Sequence, residues 1–253
     1  MIDFNSSSSI SGQVTALVDA GMQQVRARQS ERQYLGASRL GVACERALQF
    51  EYAKAPVDHG REIPGRMLRI FERGHVMEDC MVAWLRDAGF DLRNRKADGE
   101  QFGFSVADDR LQGHIDGVIV GGPEGFGYPA LWECKCLGNK SWRELEKNGL
   151  AVAKPIYAAQ VAIYQAYLEL TEHPAIFMAL NADTMEIHTE LVPFDAAIAQ
   201  RMSDLAVKVI SATEAGDLLP RAFNDPTHFE CRMCAWQDRC WSKQGVNASG
   251  VQL

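Results

Sequence analysis

Three residues in the middle of the chain, Asp116, Glu133 and Lys135, have the types and spacing to bind a hard cation with a fixed positive charge beside it. They lie in the stretch Leu111 to Lys135, where LQGHIDGVIV and ALWECK flank the turn GGPEGFGYP. Two runs of β-type residues around a turn rich in Gly and Pro predict a hairpin with a long loop. Folding it about the middle of the turn, between Glu124 and Gly125, sets Asp116 opposite Glu133. Side chains alternate along a strand, so Glu133 and Lys135 share a face and Cys134 points away. Opposed residues lie roughly 5 Å apart at Cβ, close enough for the three polar groups to converge. Adjacent carboxylates repel unless a cation lies between them, and a divalent ion with oxygen ligands meets that need.

A second set suits softer chemistry. The segment FECRMCAWQDRCW carries Cys231, Cys234 and Cys240, the first pair separated by two residues and the second by five. Thiolates so close on irregular backbone suit a soft metal centre better than a core. Three is one short of a tetrahedral set, and Cys44 is the candidate fourth. Cys80 reads as a buried helix residue. Cys134 and Cys136 share the strand face away from Asp116, where packing is the expected role.

These groups need elements to position them. Ser11 to Arg32 has a partial apolar stripe of Val14, Leu17, Val18 and Val25 and reads as a helix. Ser38 is a candidate N-cap, with a short helix expected over Ala43 to Tyr52. Arg66 to Ala88 has the longest helical pattern, with Met67, Ile70, Phe71, Met77, Met81, Trp84 and Leu85 as its core face and Gly89 past its end. On it, His75 and Glu78 stand three apart, hence on one side. A strand is expected from Gln101 to Val106, a charged helix from Lys140 to Gly149, and a helix starting at Pro155, whose fixed φ suits a first turn. On that helix, extended to about residue 171, Tyr157, Gln160, Tyr164 and Tyr167 fall at spacings of three and four. Ala175 to Leu180 and Glu186 to Val192 read as strands, and Asp195 to Ala215 as an amphipathic helix.

Composition bounds the class. At 253 residues, 47% hydrophobic and 23% charged, the chain has the make-up of one globular core. No apolar run approaches the ~20 residues that span a bilayer, so no membrane role is expected. The start MIDFNSSSSISG has neither the basic residues nor the apolar stretch of a secretory signal and reads as a mobile tail. With seven cysteines and no such signal, a reducing, cytoplasmic setting is expected. The net charge of −7 is unevenly spread: residues 1–154 hold 20 basic and 21 acidic side chains, whereas residues 155–253 hold 6 and 12. The arginines at 61, 66, 69, 73, 93 and 95, with Lys96, all lie in the balanced part. They are equally readable as solvated helix faces or as a local anion-binding surface.

In this order, G-x-x-D (Gly113 to Asp116), E-x-K (Glu133 to Lys135) and Q-x-x-x-Y (Gln160 to Tyr164) resemble the PD-(D/E)xK nucleases of the RecB exonuclease type. G-x-x-x-E (Gly74 to Glu78) resembles the helical glutamate motif of phage-type exonucleases. His75 is similar to the helical histidine of the RecB branch, although its register relative to the glycine differs. The one-plus-three cysteine arrangement resembles the iron–sulfur staple of AddB-type nucleases and of the RecB-like nucleases of CRISPR adaptation.

The resemblance implies an α/β fold with a restriction-endonuclease-like core, a mixed central sheet flanked by helices 66–88 and 155–171. A single domain over 13–243 is implied, with its core about 62–194 and a cap from 34–54 and 216–243. Tails at 1–12 and 244–253 flank it. Asp116 and Glu133 are then the ligands of Mg²⁺ or Mn²⁺, with Glu78, His75 and the Cys134 carbonyl beside them. Lys135 orients the attacking water, and Gln160 and Tyr164 bond site groups or phosphates. Cys44, Cys231, Cys234 and Cys240 hold a 4Fe–4S cluster, with zinc as the alternative. The implied partner is DNA, single-stranded or with free ends, together with recombination, repair or CRISPR-adaptation proteins. The implied reaction is phosphodiester hydrolysis, exonucleolytic in preference. Other classes stay open: a DNA-binding or assembly subunit without turnover, an iron–sulfur redox sensor that gates DNA binding, or a hydrolase of another substrate.

Overall fold

The computed structural model describes residues 9–242 and Asn247. Residues 1–8 and nearly all of the expected tail 244–253 lie outside the described residues. Residues 10–12, expected in the N-terminal tail, already belong to the first helix.

In chain order the helices are α1 (Ile10–Ala27), α2 (Glu45–Tyr52), α3 (Gly65–Asp87), α4 (Asn139–Asn148), α5 (Leu150–Ala153), α6 (Pro155–Tyr167), α7 (Ala196–Ala215), α8 (Phe229–Met233) and α9 (Gln237–Cys240). The strands are β1 (Leu35–Gly36), β2 (Leu92–Arg93), β3 (Gly103–Val106), β4 (Leu111–His114), β5 (Gly117–Ile119), β6 (Ala130–Leu137), β7 (Ala175–Asn181) and β8 (Ile187–Val192). They form a mixed five-stranded sheet, β2-β5-β6-β7-β8, and a three-stranded sheet, β1-β4-β3. Only β6 and β7 run parallel in the larger sheet. The connection between them carries α4 to α6, as a parallel pair requires a crossover.

Helices cover both faces of the larger sheet. Trp132, Cys134, Ile176 and Met178 face α3 and pack with Met81, Val82 and Leu85. Leu131, Leu137, Phe177 and Ala179 face the other way and pack with Val161, Ile163 and, from α7, Val209. Burial on both faces explains why β7 is apolar and buried throughout. Helix α6 is buried continuously from Ala158 to Gln165, so its polar residues point into the protein.

Several expectations are corrected. The run Leu111 to Val120 is two strands in two sheets. Fully buried Ile115 lies at the break, and its carbonyl accepts from the Gln101 side chain at 2.9 Å instead of from a neighbouring strand. Ser38 caps no α-helix: it lies in a single 3-10 turn, and Cys44 holds the N-cap position of α2 without a side-chain hydrogen bond. Helix α1 ends at Ala27, and α6 ends at Tyr167, after which Glu169 takes a left-handed φ of 57°. Of the expected core face of α3, Met67, Phe71 and Trp84 are exposed. The residues buried there are Gly65 and Leu68 near its start, where Gly65 packs on Asp19 of α1 and Arg69 pairs with it, and Met81, Val82 and Leu85 where its C-terminal half lies on the sheet. Cys80 is half-buried. Cys231 lies within α8 and Cys240 closes α9, so only Cys234 stands on irregular backbone.

Segments from before α3 and after α7 meet near the C-terminal cysteines. The Gln49 amide donates to the Asp217 carbonyl at 2.7 Å and accepts from the Leu219 N–H at 2.8 Å. Buried Asp58 accepts from Arg239 Nε at 2.7 Å and from the Asp238 N–H at 2.6 Å, capping the start of α9. Among the described residues, no helix is long and apolar enough to cross a membrane.

Candidate active site

The register of β5 on β6 pairs Gly117 with Trp132, so the next step along sets Asp116 beside Glu133 as the turn symmetry predicts. Because β5 starts at Gly117, the edge of β6 beyond Trp132 has lost its strand partner. The Asp116 carboxylate takes over, accepting the Cys134 N–H at 2.8 Å. Alternation along β6 turns Glu133 and Lys135 toward α6, where Gln160 Nε2 donates to Glu133 Oε1 at 2.5 Å. Lys135 Nζ pairs with Glu133 Oε1 and lies 3.7 Å from Asp116 Oδ2. The same ammonium lies 5.5 Å from the centre of the Tyr157 ring, a further attraction for a cation. The cation between the two carboxylates is thus the protein's own lysine.

Glu133 is fully buried, and its second oxygen, Oε2, has no hydrogen-bond partner among the described residues. A buried carboxylate oxygen left unpaired is costly and marks a place for a ligand. Glu78 and His75 lie on the far side of Asp116, lining with it a cavity of about 320 Å³. Asp79, Asn94, Arg95 and Gln101 complete its wall. His75 is exposed and Glu78 half-buried.

Burial raises the pKa of Glu133 to about 8, the Asp116 charge adding to the rise and Lys135 opposing it. Burial likewise lifts Glu78 to about 7, again helped by Asp116. Lys135 moves upward despite the cost of burial, because Glu133 and Asp116 favour its charged form. Burial also pushes the Cys134 thiol up, keeping it an uncharged packing group in the α3-side core.

A stability consequence follows. The folded carboxyls keep protons that the unfolded chain has released, so their stabilisation is complete below about pH 4.5 and is lost as pH rises through about 7 to 8. In metal-free buffer, the thermal midpoint of the wild type is expected to fall from about pH 5 to about pH 9, and Glu133→Gln to fall less. Parallel melting curves for the two proteins, with no flattening in the variant, would contradict the assignment.

The donor set fits a divalent ion: an unpaired Glu133 oxygen, the Asp116 carboxylate, and Glu78 across a polar cavity. Among the described residues no three His, Cys, Asp or Glu side chains already form a closed ligand group. Holding an ion there therefore requires Lys135 to yield part of its contact with the carboxylates. Tyr164 behaves differently from Gln160. It is buried, hydrogen-bonds Ser38, and feels the charges of Glu133, Lys135 and Asp116 from nearby. Burial pushes its phenol pKa upward.

The four cysteines singled out by spacing line one cavity of about 410 Å³. Arg221 Nε lies 3.4 Å from Cys240 Sγ and Arg46 Nη1 lies 3.9 Å from it. The Trp241 side chain hydrogen-bonds Cys231, and the Trp236 backbone N–H donates to Cys234. Burial nevertheless raises the Cys234 thiol to about 11. The four thiols share this cavity but, among the described residues, do not form a closed metal-ligand group. Cys80, Cys134 and Cys136 stand apart from this cavity, and Cys136 hydrogen-bonds Arg73.

Sequence reasoning missed Tyr157 as a neighbour of Lys135, Gln101 and Asn94 in the carboxylate cavity, and Arg46 and Arg221 at Cys240. Tyr157 was within reach, because it precedes Gln160 by three on the same helix. The others carry no local signal.

No protein-family model matches the chain, and no curated protein matches its sequence. Among solved structures, the chain is similar to the one described as the crystal structure of SSO0001. The TM-score is 0.49 and the identity 16%, over 92% of this chain and 98% of that one. It is also similar to the alkaline exonuclease LHK-Exo from Laribacter hongkongensis, with a TM-score of 0.48 and 16% identity over 73% of this chain and 90% of that one. At such scores no side-chain role carries over, and the site stands on its own geometry.

Proposed function

We propose that this chain is a divalent-metal-dependent deoxyribonuclease built on a restriction-endonuclease-like core, acting by preference exonucleolytically on single-stranded DNA or DNA ends. The observation that carries the reading is the convergence of Asp116, Glu133 and Lys135, with one oxygen of fully buried Glu133 left unpaired. Asp116 and Glu133 would hold Mg²⁺ or Mn²⁺, with Glu78 and the Cys134 carbonyl beside them and His75 at the cavity rim. When bound, such an ion supplies Lewis acidity and lowers the pKa of a bound water.

The chain's own residues do the remaining work. Lys135 stays protonated and presents a fixed positive charge to the non-bridging oxygens of a phosphodiester, where charge builds up during attack. It also positions the attacking water by hydrogen bonding. Gln160 fixes the orientation of Glu133, leaving Oε2 for the ion. Glu78, with its pKa near neutrality, holds or gives up a proton in the working pH range. The preference for DNA ends rests on the motif resemblance.

In the same reading, Cys44, Cys231, Cys234 and Cys240 hold a 4Fe–4S cluster. It ties residues 34–54 and 216–243 into a cap over a core at about 62–194, within a single domain spanning 13–243. Support for the cap lies in the shared cavity and in the Gln49 bonds to Asp217 and Leu219 that already join these segments.

The test is end-labelled single- and double-stranded DNA incubated with the protein and Mg²⁺, Mn²⁺ or EDTA. A ladder that shortens from one end with either metal, and none with EDTA, is the expected result. No cleavage under any metal condition would overturn the reading.

A further inference from the structure

We propose that Tyr34, His114 and Arg32 form a subsite for one unpaired base of single-stranded DNA, next to the bond that Asp116 and Glu133 act on. This rests on the nuclease reading and assigns the part of the substrate that the carboxylate site leaves unheld.

The placement follows from a two-residue strand. β1 runs parallel to β4 with Gly36 against Gln112, and partners in register face the same way. Tyr34 immediately precedes β1 and His114 ends β4, and the chain before β1 bends so that the two side chains meet. Gly36 supplies no side chain, and a Cβ there would come within 2.7 Å of Arg32 Nη1. The glycine therefore leaves room for the guanidinium, whose Cζ lies 5.2 Å from the centre of the Tyr34 ring. The Tyr34 and His114 ring centres are 6.3 Å apart and inclined at 49°, so the rings do not stack on one another. Between these groups opens a cavity of about 90 Å³.

Its wall toward the catalytic carboxylates is Tyr164. That wall is rigid. A Cβ on Gly113 would come within 2.7 Å of the Tyr164 ring and 2.5 Å of Phe104, so β4 is pressed directly onto α6. His114 precedes Asp116 by two residues across the break at Ile115, so their Cα atoms lie no more than about 7 Å apart. A strand with a phosphate at Asp116 therefore lays a neighbouring nucleotide over His114 and Tyr34.

The residue types match that occupant. Aromatic faces bind any base by stacking, and a guanidinium both stacks and holds a phosphate. A base within a duplex has its faces covered by its neighbours, so the subsite selects single strands.

The experiment is fluorescence anisotropy of a labelled single-stranded oligonucleotide and its duplex, without added Mg²⁺ or Mn²⁺. Tyr34→Ala should weaken single-strand binding about ten-fold or more, the size of one lost stacking contact. Tyr34→Phe should stay near wild type, His114→Ala should show a smaller loss, and duplex binding should change little. Circular dichroism checks that each variant folds. One abasic nucleotide is then moved along the strand. The wild type should lose affinity when it occupies a single position, and Tyr34→Ala should be insensitive there. Equal single-strand binding by wild type and Tyr34→Ala, or equal abasic penalties at every position, would overturn the proposal. A wild type that binds with a position-specific penalty but cleaves nothing in Mg²⁺ would instead keep the subsite and remove the nuclease reading.

Discussion

Lys135→Ala is expected to abolish DNA cleavage, with a loss of at least about 10²-fold, while the protein still folds and binds DNA. Among the described residues, the ammonium is the only cation within ion-pair distance of both Asp116 and Glu133. Removing one member of a buried ion pair ordinarily costs several kcal/mol, because the other charge is stranded. Here the cost is reduced: Glu133, with its pKa raised to about 8, already holds its proton near neutral pH, so removing its partner leaves no stranded charge on it. Turnover and stability therefore separate in this variant. Asp116→Asn and Glu133→Gln should also lose cleavage, since each removes charge that holds the ion. Both should bind DNA as well as the wild type or more tightly, because one repulsion against phosphate has gone. Titrated binding, melting curves and cleavage rates on the same preparations check all three statements.

Replacing any one of Cys44, Cys231, Cys234 and Cys240 by Ala is the second large effect. Each should yield protein that is poorly soluble or readily trimmed by protease at both ends, since the ligands come from both ends of the chain. Anaerobically purified wild type should be brown and absorb near ~400 nm, and the variants should not. Iron and sulfide analysis separates the cluster from its alternative. Stoichiometric zinc without iron or sulfide would replace the cluster by a structural zinc site. Wild-type solubility and protease resistance in all four variants would remove the metal centre altogether. Cys134→Ala and Cys80→Ala, at cysteines outside the cavity, serve as controls that should keep the colour.

The register of the central hairpin was legible because the turn between the two β runs is symmetric about Glu124 and Gly125, which fixes Asp116 against Glu133. The break at Ile115 was not legible. An apolar residue between His114 and Asp116 fits a continuous strand equally well, and the Ile115 carbonyl is satisfied by the Gln101 side chain, which no local pattern announces. Gln160 was legible by helical spacing, and its bond to Glu133 follows once α6 is laid on β6. The N-terminal part of α3 was misread because Met67 and Phe71 have the right period for a core face, while Trp84, within the half that lies on the sheet, faces outward at the edge of the buried stripe. Periodicity gives the face but not how far along the sheet reaches. The cysteine set could be read from spacing, whereas the guanidinium groups at Cys240 come from two separate elements. Tyr34 gave no signal at all, since a two-residue strand has no period and its partner β4 lies far along the chain.

The most direct test of the central claim is single-turnover cleavage of one labelled single strand in Mn²⁺, comparing wild type with Asp116→Asn purified in parallel. A product ladder from the wild type and an intact strand with the variant, at matched DNA occupancy, is the result this account expects. Equal ladders from the two proteins would contradict it.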